Sequence, residues 1–275
     1  MARIDGSYVH GRDIGKEYKD LAKMRVAIAG CGSLGGAIAR LLAQAGVGRL
    51  ALIDGDQLAA HNTSRHVLGQ FYLGQNKAQA LASFLDQDFP HMATTIAFDT
   101  RVELLGAERL KELENFDLFI SAGIDFLGDL AISRWRAEDI ESRPYHVTTW
   151  VEPFALVGHA AALFEDRDIS AVVDDDGNSR YRMIDWDGTA RIEWPEAGCG
   201  ASFQPHGAVD LQRTVALAAR LCLDVLNLKI TESTRCVWFG DRNALGPLGG
   251  TARADFDQSN VEKTLAWPAD APLRR

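Results

Sequence analysis

Residues 24–56 hold the feature that most constrains the fold, a glycine-rich turn between a strand-like run and a helix-like run. Residues 25–29 are apolar, the motif GCGSLG follows at positions 30–35, and the next residues, through Ala45, favour a helix. A second apolar run, residues 49–53, ends at Asp54. An acidic residue about 20 positions after such a turn is typical of a nucleotide-binding βαβ unit. The stretch therefore predicts a nucleotide site.

Each glycine of the motif has a distinct predicted role. Gly30 permits the tight turn, Gly32 lets the backbone approach a phosphate or ribose, and Gly35 lets helix and strand pack closely. Free N–H groups at the helix start favour an anionic ligand, and Asp54 is placed to accept hydrogen bonds from ribose hydroxyls. The nucleotide-binding residues predicted from this stretch are Gly30, Gly32, Ser33, Leu34, Gly35, Asp54 and Asp56. The alternative is that the glycines only turn the chain, and the motif itself serves NAD, FAD and ATP alike.

Strand-like and helix-like segments alternate through the first half of the chain. We expect further strands at residues 93–98, 117–121 and 145–149, and helices at 77–85, 107–114 and 130–140. This alternation predicts an α/β fold with a doubly wound, Rossmann-like, mostly parallel sheet. Ligand groups then gather at the carboxyl ends of the strands, where Gly32, Asp54 and Asp125 all fall. A long helix at 211–228, capped by Asp210, and a last strand at 235–239 follow, and the residues from 241 onward are expected to form an irregular tail.

The chain is expected to form one principal domain in three parts. Residues 1–22 are predicted to be an N-terminal arm, residues 23–164 the nucleotide-binding core, and residues 165–275 a crossover loop, long helix and C-terminal strand that complete the same domain. Arg12 in the arm could reach over a phosphate site of its own or a neighbouring subunit, although a solvated arm is the alternative. The connection between the strand that ends at Asp54 and the next helix includes the polar stretch 61–66. Its length of about 20 residues exceeds the usual 2–6, and such loops in compact domains tend to be functional.

Composition excludes several classes of protein. The formal net charge is −9, which disfavours binding to nucleic acid because a phosphate backbone attracts concentrated Lys and Arg. The four cysteines form no CxxC pair, so neither a zinc ribbon nor a disulfide framework is expected. No apolar run approaches the roughly 20 residues of a membrane helix, and the N-terminus is too polar for a signal peptide. We therefore expect a cytoplasmic protein without a membrane or nucleic-acid partner.

Six ordered features resemble the ubiquitin-activating enzyme superfamily, whose simplest members are the adenylyltransferases of molybdopterin and thiamine biosynthesis. They are GCGSLG, LIDGDQL, Asn62, Arg65 three positions after it (NxxR), GQNKAQA, and a later strand followed by Asp125. The resemblance spans roughly residues 21–164. Arg65-His66 and the segment TTWVEPFALVGHAAALF look most like the activating domains of bacterial antiviral ubiquitin-like conjugation systems.

This resemblance implies that the chain uses Mg-ATP to adenylate the C-terminal carboxylate of another protein, which usually ends in glycine, and releases pyrophosphate. Arg65 and Lys77 would offset the negative charges of the carboxylate and the phosphate, and Asn62 would donate its amide to the polyphosphate. Asp125 would hold Mg²⁺ together with phosphate oxygens and water. The alternatives are that Arg65 and Lys77 are surface ion-pair partners and that Asp125 is a helix cap.

Some members of this superfamily pass the acyl group to a cysteine as a thioester. Cys199 lies between two glycines shortly before the predicted long helix, where the superfamily's crossover loop carries its catalytic thiol. The other cysteines fit poorly, because Cys31 lies in the glycine turn, Cys222 on an apolar helix and Cys236 in a strand. The alternative is that Cys199 is an inert loop cysteine.

The resemblance also implies partners: a ubiquitin-like protein, a conjugating-enzyme-like protein or fused module, and a second copy of the chain in a homodimer. Two departures stand out, since the chain lacks the two CxxC pairs that bind zinc in the simplest members and carries His66 where many relatives have Gln. Three alternative functions remain: a sulfur-carrier adenylyltransferase without a thioester step, an NAD-dependent dehydrogenase, and a non-catalytic scaffold.

Overall fold

Eight strands of the computed structural model form one sheet flanked by helices. The structure describes residues 3–10, 20–139, 141–164, 169, 179–195 and 202–266. The strands are β1 Arg25–Ala29, β2 Arg49–Ile53, β3 Ile96–Phe98, β4 Leu118–Ala122, β5 Tyr145–Val151, β6 Val157–Leu163, β7 Ile184–Trp186, β8 Trp194–Pro195, β9 Ser202–Phe203, β10 Thr234–Phe239, β11 Gly250–Ala252 and β12 Val261–Ala266. The helices are α1 Gly6–Val9, α2 Ser33–Ala45, α3 Lys77–Asp88, α4 Ala107–Leu113, α5 Phe126–Ala137 and α6 Ala208–Leu226.

The large sheet has the strand order β12-β10-β6-β5-β4-β1-β2-β3. From β3 to β5 all neighbouring strands are parallel, and β6, β10 and β12 then add antiparallel pairs. The predicted α/β fold with a mostly parallel sheet is confirmed. The carboxyl ends of β1, β2 and β4 meet at one edge, where the predicted site residues follow them.

Helices cover both faces of the sheet because successive side chains of a strand point to opposite sides. Val26 and Ile28 of β1 face a core that they share with buried residues of α2, α3 and α6. Ala27 and Ala29 face a second core, to which α4 and α5 contribute Leu113 and Trp135 among others. The strands of the parallel half are therefore buried on both faces and consist of nearly continuous apolar runs.

The sequence did not predict β6 or the strands β7, β8, β9, β11 and β12. Strand β6 reads VGHAAAL, whose alanines are poor strand formers, and its Gly158 lies so close to α6 that a Cβ would overlap Thr214. The prediction of an irregular tail after residue 241 is wrong, since β11 pairs with β7 and β12 pairs with β10. Both pairings join segments that are distant in the sequence, so no local sequence pattern predicts β11 or β12.

Several predicted element ends are also wrong. Helix α5 begins at Phe126 rather than residue 130, with Asp125 as its N-cap. Helix α6 begins at Ala208 with Gly207 as N-cap, so that Asp210 lies in the first turn rather than at the cap. Cys199 and Arg12 lie outside the described residues, and the predicted three-part division stays a prediction. Within the described ranges, every helix is too short or too polar to cross a membrane.

Candidate functional site

A cleft of about 450 Å³ opens at the carboxyl ends of β1, β2 and β4. Eight residues predicted from the sequence line it: Gly30, Gly32, Ser33, Leu34, Asp54, Asp56, Lys77 and Asp125. Gly35, the last glycine of the motif, lies behind Gly30 rather than in the lining. The structure thus brings together residues from four separate segments of the chain.

The three glycines of the turn meet different surroundings. Gly30 has a φ of +87°, and a Cβ there would overlap the Ala122 carbonyl and lie 2.7 Å from Cγ2 of Ile124. A Cβ on Gly35 would overlap the Gly30 carbonyl oxygen. A Cβ on Gly32, in contrast, would have no protein atom within 4 Å. Packing within the chain therefore requires Gly30 and Gly35, whereas the space over Gly32 opens into the cleft.

Asp54 fixes the glycine turn to the end of β2. One oxygen of its carboxylate accepts the Cys31 N–H at 2.7 Å, and the other accepts the Asp56 N–H at 2.8 Å. Burial raises the pKa of Asp54, while these two hydrogen bonds and the charge of Lys77 act in the opposite direction. The carboxylate has further lone pairs for hydroxyl donors, so the predicted contact with ribose is compatible with this geometry.

Lys77 lies at the start of α3 and pairs with Asp56. Its Nζ is 2.9 Å from Oδ2 of Asp56, with the lysine side chain 13% exposed and the aspartate 70% exposed. Asn76 caps α3 by accepting the Gln79 N–H at 3.0 Å, and it donates its amide to the Asp54 carbonyl at 2.7 Å. Lys77 is thus in an ion pair, which was the alternative to a role in phosphate binding. The pair lies in the cleft, however, where a phosphate can compete with Asp56 for the ammonium group.

Asp125 both caps a helix and faces the cleft. Its Oδ1 accepts the Gly128 N–H at 3.0 Å, as expected for an N-cap, and its Oδ2 pairs with the Arg101 guanidinium. Arg101 also lies 2.5 Å from Glu103. The capping alternative is therefore observed, and it leaves the carboxylate at the surface of the cleft, beside a cation that the sequence analysis did not single out.

The structure does not bring Asn62 and Arg65 into the lining of the cleft. Asn62 accepts the Ala59 N–H at 3.0 Å through its side-chain oxygen, and Arg65 donates to the His61 carbonyl at 3.3 Å. Arg65 borders a neighbouring depression with Arg40 and Gln212. It is nevertheless close enough to act on His206, which lines the cleft: burial lowers the pKa of His206, and the charge of Arg65 lowers it further. The predicted contacts of Asn62 and Arg65 with phosphate stay predictions.

His66 has a structural role that the sequence did not reveal. Its Nδ1 lies 3.0 Å from the Leu68 N–H, which can only donate, so Nδ1 is the acceptor. The neutral ring then carries its proton on Nε2, which donates to the Cys31 carbonyl at 2.6 Å. Burial lowers the pKa of His66, which favours this neutral form. His66 therefore ties the polar loop to the glycine turn.

This arrangement predicts that His66→Gln preserves stability better than His66→Leu. Glutamine carries both a donor and an acceptor, whereas leucine leaves the Cys31 carbonyl and the Leu68 N–H unpaired, at about 1–3 kcal/mol. Since the pKa of His66 is lower in the folded state, the unfolded chain binds the proton first as the pH falls below about 6.5. Wild type should lose stability in that range, and His66→Gln should lose less, as measured by urea unfolding between pH 5 and 8. Equal pH dependence in both proteins would contradict the assigned role.

Two of the lining residues that the sequence analysis did not single out are basic, Arg101 and His206. Arg101 follows β3 closely, so the strand-end rule that found Asp54 and Asp125 could have found it as well. His206 lies in an irregular segment before α6 that carries no comparable pattern. Its Nδ1 is 3.1 Å from the Gln204 carbonyl, and its Nε2 is buried without a hydrogen-bond partner among the described residues.

The three cysteines within the described residues are poor nucleophiles. Cys31 and Cys222 are buried and Cys236 is partly buried, and burial raises the pKa of all three thiols. A thiol whose pKa lies above its usual range is mostly protonated at neutral pH and reacts slowly. The expectation that none of these three carries a thioester agrees with their surroundings.

Comparison with known proteins identifies related sequences. Residues 10–132 match the ThiF family. The ATP-dependent ubiquitin transferase-like protein Cap2 of Pseudomonas aeruginosa is 30% identical over 252 residues, which are 86% of this chain and 42% of that protein. The adenylyltransferase and sulfurtransferase MOCS3 of Mus musculus is 46% identical over 66 residues, 24% of this chain and 14% of that protein. The chain thus spans less than half the length of these relatives.

Solved structures show the same fold. A crystal structure of E. coli MccB superposes with a TM-score of 0.61 at 14% identity and covers 90% of this chain and 71% of that one. PaaA superposes with a TM-score of 0.61 at 15% identity and covers 96% of this chain and 78% of that one. Other crystal structures of MccB contain ATP or N-formylated MccA.

Proposed function

Because this chain carries a ThiF-family domain and belongs to the ubiquitin-activating superfamily, we propose that it uses ATP to adenylate the C-terminal carboxylate of a protein. The observation that carries the proposal is the cleft itself: an open glycine turn at a helix start, in a cleft that is also lined by Asp54, Lys77, Arg101 and Asp125. The alternative of an NAD-dependent dehydrogenase, which rests on the glycine turn and Asp54, gains no support from the relatives named above.

The chemistry is a substitution at the α-phosphorus of ATP. A carboxylate oxygen forms the new bond to phosphorus, the bond to the β-phosphate oxygen breaks, and pyrophosphate leaves. Both reactants are anions, so the site has to supply positive charge without blocking the approach. The N–H groups at the start of α2 favour the phosphates, and Lys77 and Arg101 are cations within the same cleft. Each is held by a carboxylate that a phosphate can replace.

Magnesium fits the cleft with Asp125 as its protein ligand. About half of the Asp125 side chain is exposed, and a single carboxylate suffices when phosphate oxygens and water complete the octahedron of Mg²⁺. The ion would offset charge on the phosphates. If phosphates drew Arg101 towards them, Oδ2 of Asp125 would be free to hold Mg²⁺.

The proposed substrate is a ubiquitin-like or other protein that ends in glycine. The Cap2 relatives are named as ubiquitin transferase-like proteins, and MccB has been solved with MccA. From the sequence resemblance described above we extend the proposal to a bacterial antiviral conjugation pathway, with a conjugating-enzyme-like partner or fused module and with homodimers of the chain. The alternative proposal is a sulfur-carrier adenylyltransferase without a thioester step. It is supported by the relative MOCS3, which is named an adenylyltransferase and sulfurtransferase.

ATP–pyrophosphate exchange tests the proposal. Labelled pyrophosphate should enter ATP only when a small protein ending in glycine is present, and the same protein without its last residue is the matched control. NADH binding without ATP binding would instead favour a dehydrogenase. ATP binding without exchange by any candidate would favour a scaffold that retained the fold.

Cys199 is proposed as the residue that receives the acyl group. Its thiolate would attack the carbonyl of the acyl-adenylate and release AMP. Cys199→Ala should therefore abolish an adduct that reducing agent removes on a gel, while leaving exchange unchanged, and Cys236→Ala is the matched control. Mass spectrometry of the loaded enzyme locates the adduct. An adduct that persists in Cys199→Ala moves the nucleophile elsewhere, and exchange without any adduct favours the sulfur-carrier version.

A further inference from the structure

A second polar cavity, of about 490 Å³, shares no lining residue with the nucleotide cleft. Four arginines and two aspartates line it together with Tyr181; we call it the arginine pocket, and its charged residues are Arg180, Arg182, Arg235, Arg253, Asp185 and Asp255. It lies near the amino end of β10, whereas the nucleotide cleft lies at the carboxyl ends of the parallel strands. Nothing in the proposed adenylation uses these residues.

Arg235 is the unusual member of the pocket. It is only 8% exposed, and both its Nε and its Nη1 are buried without a hydrogen-bond partner among the described residues. Its guanidinium carbon lies 4.1 Å from the centre of the Tyr181 ring, and burial lowers its pKa. A guanidinium remains charged in proteins, and burying its N–H groups without acceptors destabilises the folded state. An anion in the pocket would remove that destabilisation.

The aspartates of the pocket do not neutralise Arg235. Asp185 is engaged by Arg253, whose Nη2 and Nε lie 2.8 Å and 3.0 Å from Oδ1, and by Arg182, whose Nε lies 3.4 Å from the same oxygen. Asp255 acts on Arg235 through its charge but makes no hydrogen bond to it. Among the described residues, the Nε and Nη1 of Arg235 therefore have no acceptor in the pocket.

We infer that the arginine pocket binds a compact anion carrying a phosphate group or two carboxylates, with Arg235 as its central contact. The two unpaired N–H groups of Arg235, on Nε and Nη1, need two acceptor oxygens, which a phosphate or a dicarboxylate supplies. The planar guanidinium presents paired N–H donors that suit phosphate and carboxylate oxygens, and the Tyr181 ring holds that plane in place from one side. The volume of the pocket leaves room for an organic group on the anion.

The test is a thermal unfolding series of the whole chain with increasing inorganic phosphate or succinate, with calorimetric titration to give Kd. A ligand that binds only the folded state raises Tm with saturation. Arg235→Met should weaken binding at least 10-fold, since it removes the central donor and keeps the length of the side chain. Arg220→Met is the matched control, because Arg220 is an exposed arginine on α6 outside the pocket.

Arg235→Met should also have a higher Tm than wild type in buffer without either anion, since it replaces an unpaired buried charge with an apolar chain. A response to phosphate alone assigns a phosphate ester, and a response to succinate alone assigns a dicarboxylate. Phosphate bound in the nucleotide cleft would stabilise Arg235→Met and wild type equally, so only the difference between them counts. No such difference with either anion would overturn the inference, whether or not the chain catalyses exchange.

Discussion

Asp125→Asn should lower ATP–pyrophosphate exchange by about 100-fold or more while leaving the stability of the chain nearly unchanged. Asparagine is as good an N-cap as aspartate, so its oxygen can still accept the Gly128 N–H that Asp125 accepts at 3.0 Å. What the substitution removes is the negative charge that would hold Mg²⁺ and that pairs with Arg101. Loss of one preorganised electrostatic contact in an active site typically costs 10²–10³ in rate. Exchange rates at several Mg²⁺ concentrations measure the effect.

Asp125→Ala separates the two roles of this residue. It removes both the cap and the charge, so it should match Asp125→Asn in activity and unfold about 1 kcal/mol more easily. If Asp125→Asn retains wild-type exchange while Asp125→Ala is unstable, the residue is a helix cap only and the proposed metal site is wrong. Saturating Mg²⁺ that restores exchange in Asp125→Asn would place the defect in metal affinity.

The parallel half of the fold could be predicted because its evidence is local. Strands β1, β2 and β4 are short, mostly apolar runs, each followed by a turn, and the helices between the strands have their own periodicity. The bounds 25–29 and 49–53 are therefore predicted to the residue. The same locality explains the site. The end of a strand can be located in the sequence, and the carboxyl ends of parallel strands meet at one edge of the sheet. The sequence alone therefore predicts that Asp54 and Asp125 lie in one cleft, as they do.

Other features depend on contacts that no local pattern encodes. Strand β12 pairs with β10 across a loop of irregular residues, and the Ala-rich β6 is a strand only because α6 and β5 pack beside it. The role of His66 depends on a carbonyl 35 positions earlier in the chain. The NxxR motif was found in the sequence, yet its position outside the cleft lining follows from the folding of the polar loop.

The glycine turn is held in place from three sides, which makes it the most sensitive part of the site. Asp54 accepts the Cys31 N–H, His66 donates to the Cys31 carbonyl, and the start of α2 packs directly on Gly30 through Gly35. A rigid turn presents its N–H groups at fixed positions, so no ordering cost falls on ligand binding. The tight packing that gives this rigidity leaves no space for extra atoms behind the turn.

Gly35→Ala should therefore destabilise the chain by about 3 kcal/mol or more, at or above the usual range for overpacking. The added Cβ would overlap the Gly30 carbonyl oxygen and lie 3.0 Å from the Cβ of Ala122. Both are parts of the core between α2 and the sheet and cannot move away without separating the helix from β1. Urea unfolding measures the loss, and exchange activity should be lost with it because the turn is displaced.

Gly32→Ala is the matched control, because it adds the same methyl group on the side of the turn that faces the cleft rather than the core. Its Cβ meets no protein atom within 4 Å, and its φ of −75° suits alanine, so stability should stay within about 1 kcal/mol of wild type. The methyl group would instead project into the space over the turn, and ATP affinity should fall at least 10-fold in a calorimetric titration. Full ATP affinity in Gly32→Ala would show that the nucleotide does not approach this glycine. Stability unchanged in Gly35→Ala would show that α2 is free to move away from β1, and the rigid turn on which the proposed chemistry depends would have to be abandoned.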